Sequence, residues 1–367
     1  MAFAARPALA AGKYTSYNYS DMVWAPYGPF WRQARKIYLT QVFSAKKLES
    51  FEDIRVEERR HFFSRLRSLS GKPVVLKDHL CRHMLSTITR MVLGSKYFSE
   101  SGDDKSSIVK LDELKAMLDE WFLLNGVFNI GDWIPWLNFL DLQGYGRMKA
   151  LYKRFDKFHN YQAEDSDLDV KLTRDHIKGL LQKAKEELDR VIGRNKWVEE
   201  DDFSKLPYIN AVIMESMRLH PLGTFLIPHS AMEDCKVAGY DISKGTMILI
   251  NTWSIGRDPN SWDAPEKFLP ERFLGKETDI LGSNFALLPF GSGRRRCPGY
   301  PLALKIVRTM LANLLHGFNL KLVDGMRPED ICMEETFGLA THPKKPLAII
   351  MEPTLQTIFT ELVMFEK

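Results

Sequence analysis

Residues Phe290-Gly-Ser-Gly-Arg-Arg-Arg-Cys-Pro-Gly299 decide how this 367-residue chain is read. Cys297 is followed by Pro298 and then, from Pro301 to Leu315, by a segment with Ala303, Ile306, Met310 and Leu314 at helical core spacing. Proline suits a first helical turn, so Cys297 is placed near that helix's N-terminus. There the helix dipole and free backbone N–H groups lower a thiol's pKa and stabilise a thiolate. Gly291, Gly293 and Gly299 allow tight turns and the close approach of a flat ligand, and the arginines offer charge-assisted hydrogen bonds to carboxylates. The bland alternative is a buried, inert cysteine beside a solvated basic turn, which is the usual condition of a free cysteine.

Composition bounds the rest. With 45% hydrophobic and 27% charged residues the chain suits a globular protein with a large core, which excludes a disordered or collagen-like chain. The net charge of +4 is too weak, over this length, to argue for nucleic acid; the one dense basic run is Arg294-Arg295-Arg296. Cys81, Cys235, Cys297 and Cys332 lie far apart with no C-x-x-C pair, which argues against a disulfide scaffold or zinc module. The most apolar segment, Trp121 to Leu140, is interrupted by Asn125, Asn129, Asp132 and Pro135 and does not read as a membrane span. The apolar start, Met1 to Tyr14, is shorter than a signal-peptide core, so as written the chain reads as soluble or peripheral.

Outward from the cysteine loop, the first two-thirds reads as helical: Ala45 to Leu66, Asp78 to Leu93, Leu111 to Leu124, Tyr145 to Phe158, and Asp175 to Ile192 with Gly193 as its C-cap. After residue 220, Val237 to Ile250 holds two short strand-like pieces joined by turn residues, and Phe318 to Leu322 and Pro346 to Met351 read as terminal strands. The fold class is mainly α with a small β part, in one domain over 1–367: helical to residue 220, then a β-rich region with the cysteine loop and its helix.

Phe290, Gly293, Arg295, Cys297 and Gly299 fit F-x-x-G-x-R-x-C-x-G at every fixed position, and this resembles the heme-binding loop of cytochromes P450. The resemblance implies a cytochrome P450 fold with Cys297 as the axial iron ligand, whose thiolate favours O–O cleavage. Phe290 would pack beside the sulfur and Gly299 permit close approach. Glu215-Ser-Met-Arg218 puts a carboxylate and a guanidinium on one helix face, a pair of little weight alone. With Arg272 of Pro270-Glu-Arg-Phe273 it matches the family's buried Glu–Arg–Arg network behind the heme. Trp31-Arg-Gln-Ala-Arg35 matches the helix that donates to a heme propionate, which assigns that role to Trp31 and Arg35; Arg295, and His229 in Ile227-Pro-His-Ser230, stand where the family places further propionate partners. Tyr17, Thr224, Phe225 and Leu339 occupy positions similar to substrate-contact loops.

Pro26-Tyr-Gly-Pro-Phe-Trp31, Pro270 to Phe273, Glu335-Thr-Phe-Gly-Leu339, Phe128 to Leu137 and Leu142-Gln-Gly resemble the plant A-type branch, near flavonoid 3'-hydroxylases and homoterpene-forming enzymes. The implied activity is insertion of one oxygen atom from O2 into a small lipophilic plant metabolite, a flavonoid, terpenoid or similar. Electrons would come from NADPH through NADPH-cytochrome P450 reductase, at the cytosolic face of the endoplasmic reticulum membrane. No nucleic-acid partner is implied.

Three departures from the family pattern stand out. Phe3-Ala-Ala-Arg-Pro7 resembles a segment well inside the family domain, so the membrane anchor and first strands are expected to be absent. The central helix with an A/G-G-x-D/E-T pattern, whose acid and threonine deliver protons during oxygen activation, is not found. Ala238-Gly-Tyr-Asp241 is a decoy followed by Ile242, better read as a hairpin turn, while Thr173 to Gln182 and Lys183 to Gly193 resemble the entrance of that helix and the helix after it, directly abutting. A third contraction is expected near His159 to Asp165. No catalytic acid–threonine pair is therefore assigned, and the losses suggest mis-splicing, a pseudogene or a faulty gene model. A missing apolar helix forfeits about 25 cal/mol per Å² of buried area against a net stability of about 5–15 kcal/mol, so an unstable chain or an open distal side is expected. Two other functions are weighed: an inactive, truncated heme-binding fragment, and a heme-thiolate isomerase or dehydratase, against which the ordinary cysteine loop argues.

Overall fold

Helix α12, Tyr300–Gly317, is the element around which the others are arranged. In this computed structural model the described residues are 2–94, 111–127, 129–134, 144–159, 174–275, 280, 285–323, 325–327, 330–332, 334–336 and 338–355. One face of α12, carrying Leu302, Ile306, Met310 and Leu314, packs with Leu48, Phe62, Phe63 and Leu66. A second face, through Ala312 and Leu315, joins Leu188, Ile209 and Val212. Apolar side chains spaced three or four apart on one helix thus serve two cores at once.

The first core is formed by α3 (Ala45–Ser50) and α4 (Glu52–Ser68), α5 (Leu76–Leu93), and a three-stranded sheet. The sheet has the order β1 (Pro73–Val75), β9 (Ala348–Pro353), β6 (Phe318–Leu322), all antiparallel. Here the expected single helix from Ala45 to Leu66 divides at Phe51 (φ −103°, ψ 9°), whose ring is drawn against the core. Packing, and no breaker residue, makes the bend. β1 was not expected from sequence; three residues carry no periodicity, and the strand exists because β9 lies alongside.

The second core holds α9 (Arg174–Val191), the 3₁₀ turn Glu200–Lys205 and α10 (Pro207–Leu219). α9 is one helix straight through Gln182 and Lys183, with Leu180, Ala184 and Leu188 buried in one stripe. Gly193, at φ +75°, closes it as expected, its N–H reaching Leu188 O. α1 (Ala10–Thr15), α6 (Leu111–Gly126) and α8 (Tyr145–His159) make a third cluster with Leu85 of α5. α2 (Pro29–Ile37) runs on into a π-helical turn, Tyr38–Val42.

The remaining β structure is short. β3 (Cys235–Val237) and β4 (Tyr240–Ile242) form a hairpin whose turn, Ala238-Gly239, has both φ angles positive. That is the hairpin turn expected for Ala238 to Asp241. β5 (Met247–Ile248) departs from the expectation: it pairs with β2 (His229–Ser230), and Gly245, at φ +84°, turns the chain away from β4. The contraction expected near His159 to Asp165 lies outside the described residues from 160 onward, as do Phe128, Pro135 to Leu137 and Leu142-Gln143. No helix among the described residues is long and apolar enough to cross a membrane.

Candidate functional site

Cys297 stands three residues before α12, with Gly299 at the N-cap and Pro301 in the first turn. Its N–H donates to Phe290 O at 2.9 Å, which closes the loop into a tight arch. Gly291 (φ +66°) and Gly293 (φ +62°) occupy left-handed backbone that other residues adopt only at a cost, so these two glycines shape the arch. Phe290 lies beside Tyr300, ring centroids 6.0 Å apart, and the ring of Phe43 rests 3.4 Å from where a Cβ on Gly299 would stand.

Cys297 is exposed, yet enough protein crowds around it to push its thiol above the ordinary value. The backbone N–H groups of Gly299 and Tyr300 and the Arg35 guanidinium act the other way. The sequence expectation of a lowered pKa is thus corrected: the helix-end donors are in place, but loss of hydration outweighs them.

An arginine cluster surrounds the loop. Arg295 donates to Ala4 O at 2.9 Å and Ala25 O at 2.7 Å, while its third nitrogen, Nη1, is buried without an acceptor. Its guanidinium lies 4.4 Å from the centre of the Trp31 ring, and Arg35 packs on the same ring at 5.4 Å. Trp31 Nε1 donates to Met22 O at 3.2 Å and Arg35 to Arg296 O at 2.9 Å. His229 Nδ1 meets Phe3 O at 2.6 Å; burial first, then the charge of Arg6, brings its pKa down to about 4.

Arg6 was missed by the sequence reading. It donates to Val23 O, Ile227 O and Pro228 O, and burial, with Arg295 nearby, brings its pKa down to about 9. Arg295 is brought down to about 10, by burial and then Arg35; Asp21 is the carboxylate acting on both. Phe3-Ala-Ala-Arg-Pro7 held a signal, a lone arginine in an apolar stretch, because an arginine buried there must have carbonyls or an anion to meet.

Behind the loop, Arg218 donates to both Glu215 oxygens at 2.7 Å, and both side chains are fully buried (0% exposed). Arg272 Nε reaches Glu215 Oε1 at 3.2 Å, and the Leu269 N–H donates to the same oxygen at 2.7 Å. The structure therefore brings Glu215, Arg218 and Arg272 into one network, 3 residues and 57 residues apart in sequence. Arg218 further donates to the carbonyls of Gly256, Pro265 and Lys267, which fastens the segment before the loop to α10.

Thr224, Phe225 and Leu339 line a cavity of about 40 Å³, together with Leu226 and the end of α6. Tyr17 does not line it; its ring packs on Tyr152 at 5.0 Å, in a left-handed turn formed by Tyr17, Asn18 and Tyr19.

These residues fit a flat group bearing carboxylates and a metal open to sulfur. The arch presents an accessible cysteine, and beside it a positively charged cluster contains a buried guanidinium nitrogen with nothing to donate to. Such an arrangement is what a group held through sulfur and carboxylates, such as a heme bound by a thiolate, would require.

The sequence profile of the family described as Cytochrome P450 matches this chain over residues 1–181 and 176–350. The trimethyltridecatetraene synthase of Zea mays is 40% identical in an alignment of 432 positions, covering 97% of this chain and 77% of that protein. The flavonoid 3'-monooxygenase of Arabidopsis thaliana is 39% identical, covering 96% of this chain and 79% of its own. A zebra fish cytochrome P450 solved with progesterone shares the fold, with a TM-score of 0.73 at 23% identity over 95% of this chain and 88% of that one. This chain belongs to the cytochrome P450 family, in the plant branch that is like flavonoid 3'-hydroxylases.

Proposed function

We propose that the chain is, by descent, a heme-thiolate monooxygenase acting on a small lipophilic plant metabolite, and that Cys297 is its iron ligand. The accessible Cys297 on its glycine arch, beside the unsatisfied Arg295 Nη1, is the observation that carries this reading. Heme bound through a thiolate supplies the activation of O2. The chain's own residues do the rest. The Gly299 and Tyr300 N–H groups would stabilise charge on the sulfur once it is deprotonated to hold the metal, and Arg295, Arg6, Arg35 and His229 surround the place for carboxylates. Trp31 gives that cluster an aromatic floor, and the Glu215–Arg218–Arg272 network keeps the loop's approach fixed. Thr224, Phe225 and Leu339 exclude water from the substrate side. Electrons come from NADPH through a reductase, and the family's usual place is the endoplasmic reticulum membrane. The names of the relatives support terpenoid or flavonoid substrates.

Two observations favour a second reading, in which oxygen chemistry is impaired. The two family matches overlap at residues 176–181, inside the unbroken helix α9, and the alignment of 432 positions exceeds the 367 residues of the chain. Both support an internal segment present in relatives and absent here. On this reading α9 packs onto α10 and α12, and the groups that the absent segment supplies in relatives would be missing from the oxygen chemistry.

The absorption spectrum of the expressed chain loaded with heme, reduced and exposed to carbon monoxide, tests the first reading. A red-shifted Soret band that Cys297→Ser abolishes is expected; its absence from a folded, heme-loaded chain would overturn Cys297 as ligand. Reductase-driven turnover then separates the two: consumption of NADPH without hydroxylated product is the outcome expected if the internal segment is required.

A further inference from the structure

The small cavity is closed at one end by backbone alone, where three glycines meet. A Cβ on Gly126, the last residue of α6, would overlap Leu339 N and the carbonyl carbon of Gly338. One on Gly223 would stand 2.9 Å from Phe225 O and 3.3 Å from Leu339 O, and one on Gly338 3.2 Å from Ala340 O. None of the three has a positive φ, so space and not backbone conformation demands glycine. Two backbone hydrogen bonds tie the same place together: Leu339 N–H to Phe122 O at 3.0 Å, and Thr341 N–H to Leu222 O at 2.6 Å. Ligand pockets are commonly about 300–1,000 Å³, whereas this cavity of about 40 Å³ holds little more than a water molecule. A ligand must therefore part these segments to enter.

We propose that Gly126 determines which ligands the cavity admits: its missing side chain lets the 338–341 segment close on α6, and binding requires the Leu339–Phe122 hydrogen bond to open. The proposal rests on the lipophilic-substrate reading above and narrows it. Two polar side chains of the lining, Asn125 and Asp132, already hold partners. Asn125 Oδ1 accepts from Trp24 and Thr15 while its Nδ2 donates to Trp121 O, and Asp132 Oδ1 accepts from the Ala10 N–H. A ligand meets chiefly the apolar wall of Phe225, Leu226 and Leu339, with the Thr224 hydroxyl beside it. A low-polarity aliphatic molecule of terpenoid kind gains there, whereas a polyhydroxylated aromatic would bury more hydroxyls than these few groups can partner.

Hydrogen exchange of the full chain, wild type against Gly126→Ala, tests the closure without reference to heme. The Leu339 amide is expected to exchange at least tenfold faster in the variant. The Leu226 amide, bonded to Ile250 O, should stay unchanged as the control for folding. Equal Leu339 exchange in both proteins would overturn the proposal. Calorimetric titration with dodecanol and with catechin then reads the ligand class. Gly126→Ala should bind dodecanol at least tenfold more tightly than wild type, and catechin should bind to neither; catechin binding more tightly than dodecanol would overturn the assignment. If Gly126→Ala does not fold, Gly223→Ala, a milder intrusion at the same junction, takes its place in both measurements. A failed carbon monoxide spectrum with faster Leu339 exchange would sink the heme reading alone; the reverse pair would sink the closure alone.

Discussion

Arg295 shows what a single side chain can carry. Two of its nitrogens hold Ala4 and Ala25 in place, and the third is left facing nothing. A charge-assisted hydrogen bond is worth about 1.5–3 kcal/mol, so Arg295→Leu should weaken heme binding about 10- to 100-fold in a heme titration followed by absorbance. Arg294→Leu, which removes a guanidinium stacked on Tyr27, should change it far less. Glu215 is the opposite case, a buried carboxylate on which two arginines depend. Removing one partner of a buried ion network costs about 3–5 kcal/mol because the other charge stays buried. Glu215→Ala should lower the free energy of unfolding by that amount in urea titrations. Both Glu215 and Arg295 could be singled out in the sequence, because each sits in a motif with fixed spacing. Arg6 is marked only as a lone arginine in an apolar stretch, and its carbonyl partners, at residues 23, 227 and 228, have no spacing that shows them.

At the scale of elements, α9 is the most informative. Leu180, Ala184 and Leu188 recur at i, i+4 and i+8, so a helix with one buried face follows from pattern alone. Leu188→Ala should destabilise by about 2–5 kcal/mol, read from the thermal midpoint. Gly179→Ala, where an added Cβ meets nothing, should stabilise by about 0.5–1 kcal/mol, since a helical glycine loses backbone freedom for no packing gain. Strands fared differently. β6 was legible from the alternation of Phe318, Leu320 and Leu322 with Asn319 and Lys321, and β9 from the apolar run Ala348 to Met351, while β1 and β2 are too short to show a period and owe their existence to the partners beside them.

Across the whole molecule, acid should be destabilising through His83. It is buried between Glu58, Arg59 and the Phe62 ring, its Nδ1 has no partner, and burial brings its pKa down to about 4. Between pH 6.5 and 4 the unfolded chain binds this proton and the folded chain does not, so stability falls as pH falls through that window. The loss approaches about 3 kcal/mol at pH 4. Unfolding of His83→Leu followed at pH 7 and pH 4.5 should show a smaller difference between the two values than wild type; an equal difference would remove His83 as the cause.

The sequence by itself determined the family, the mainly α class, the cysteine arch and the helix that follows it, because these depend on residue types at short, fixed separations. It also held the partners of the Glu215 network. Tertiary structure alone decided the thiol's environment at Cys297, where crowding outweighs the helix-end donors. It decided the company of Arg6 and the small cavity in which Tyr17 takes no part. The physical reason is common to all three: hydration loss and backbone contact arise between segments distant in the chain, and no local pattern encodes which of those segments meet.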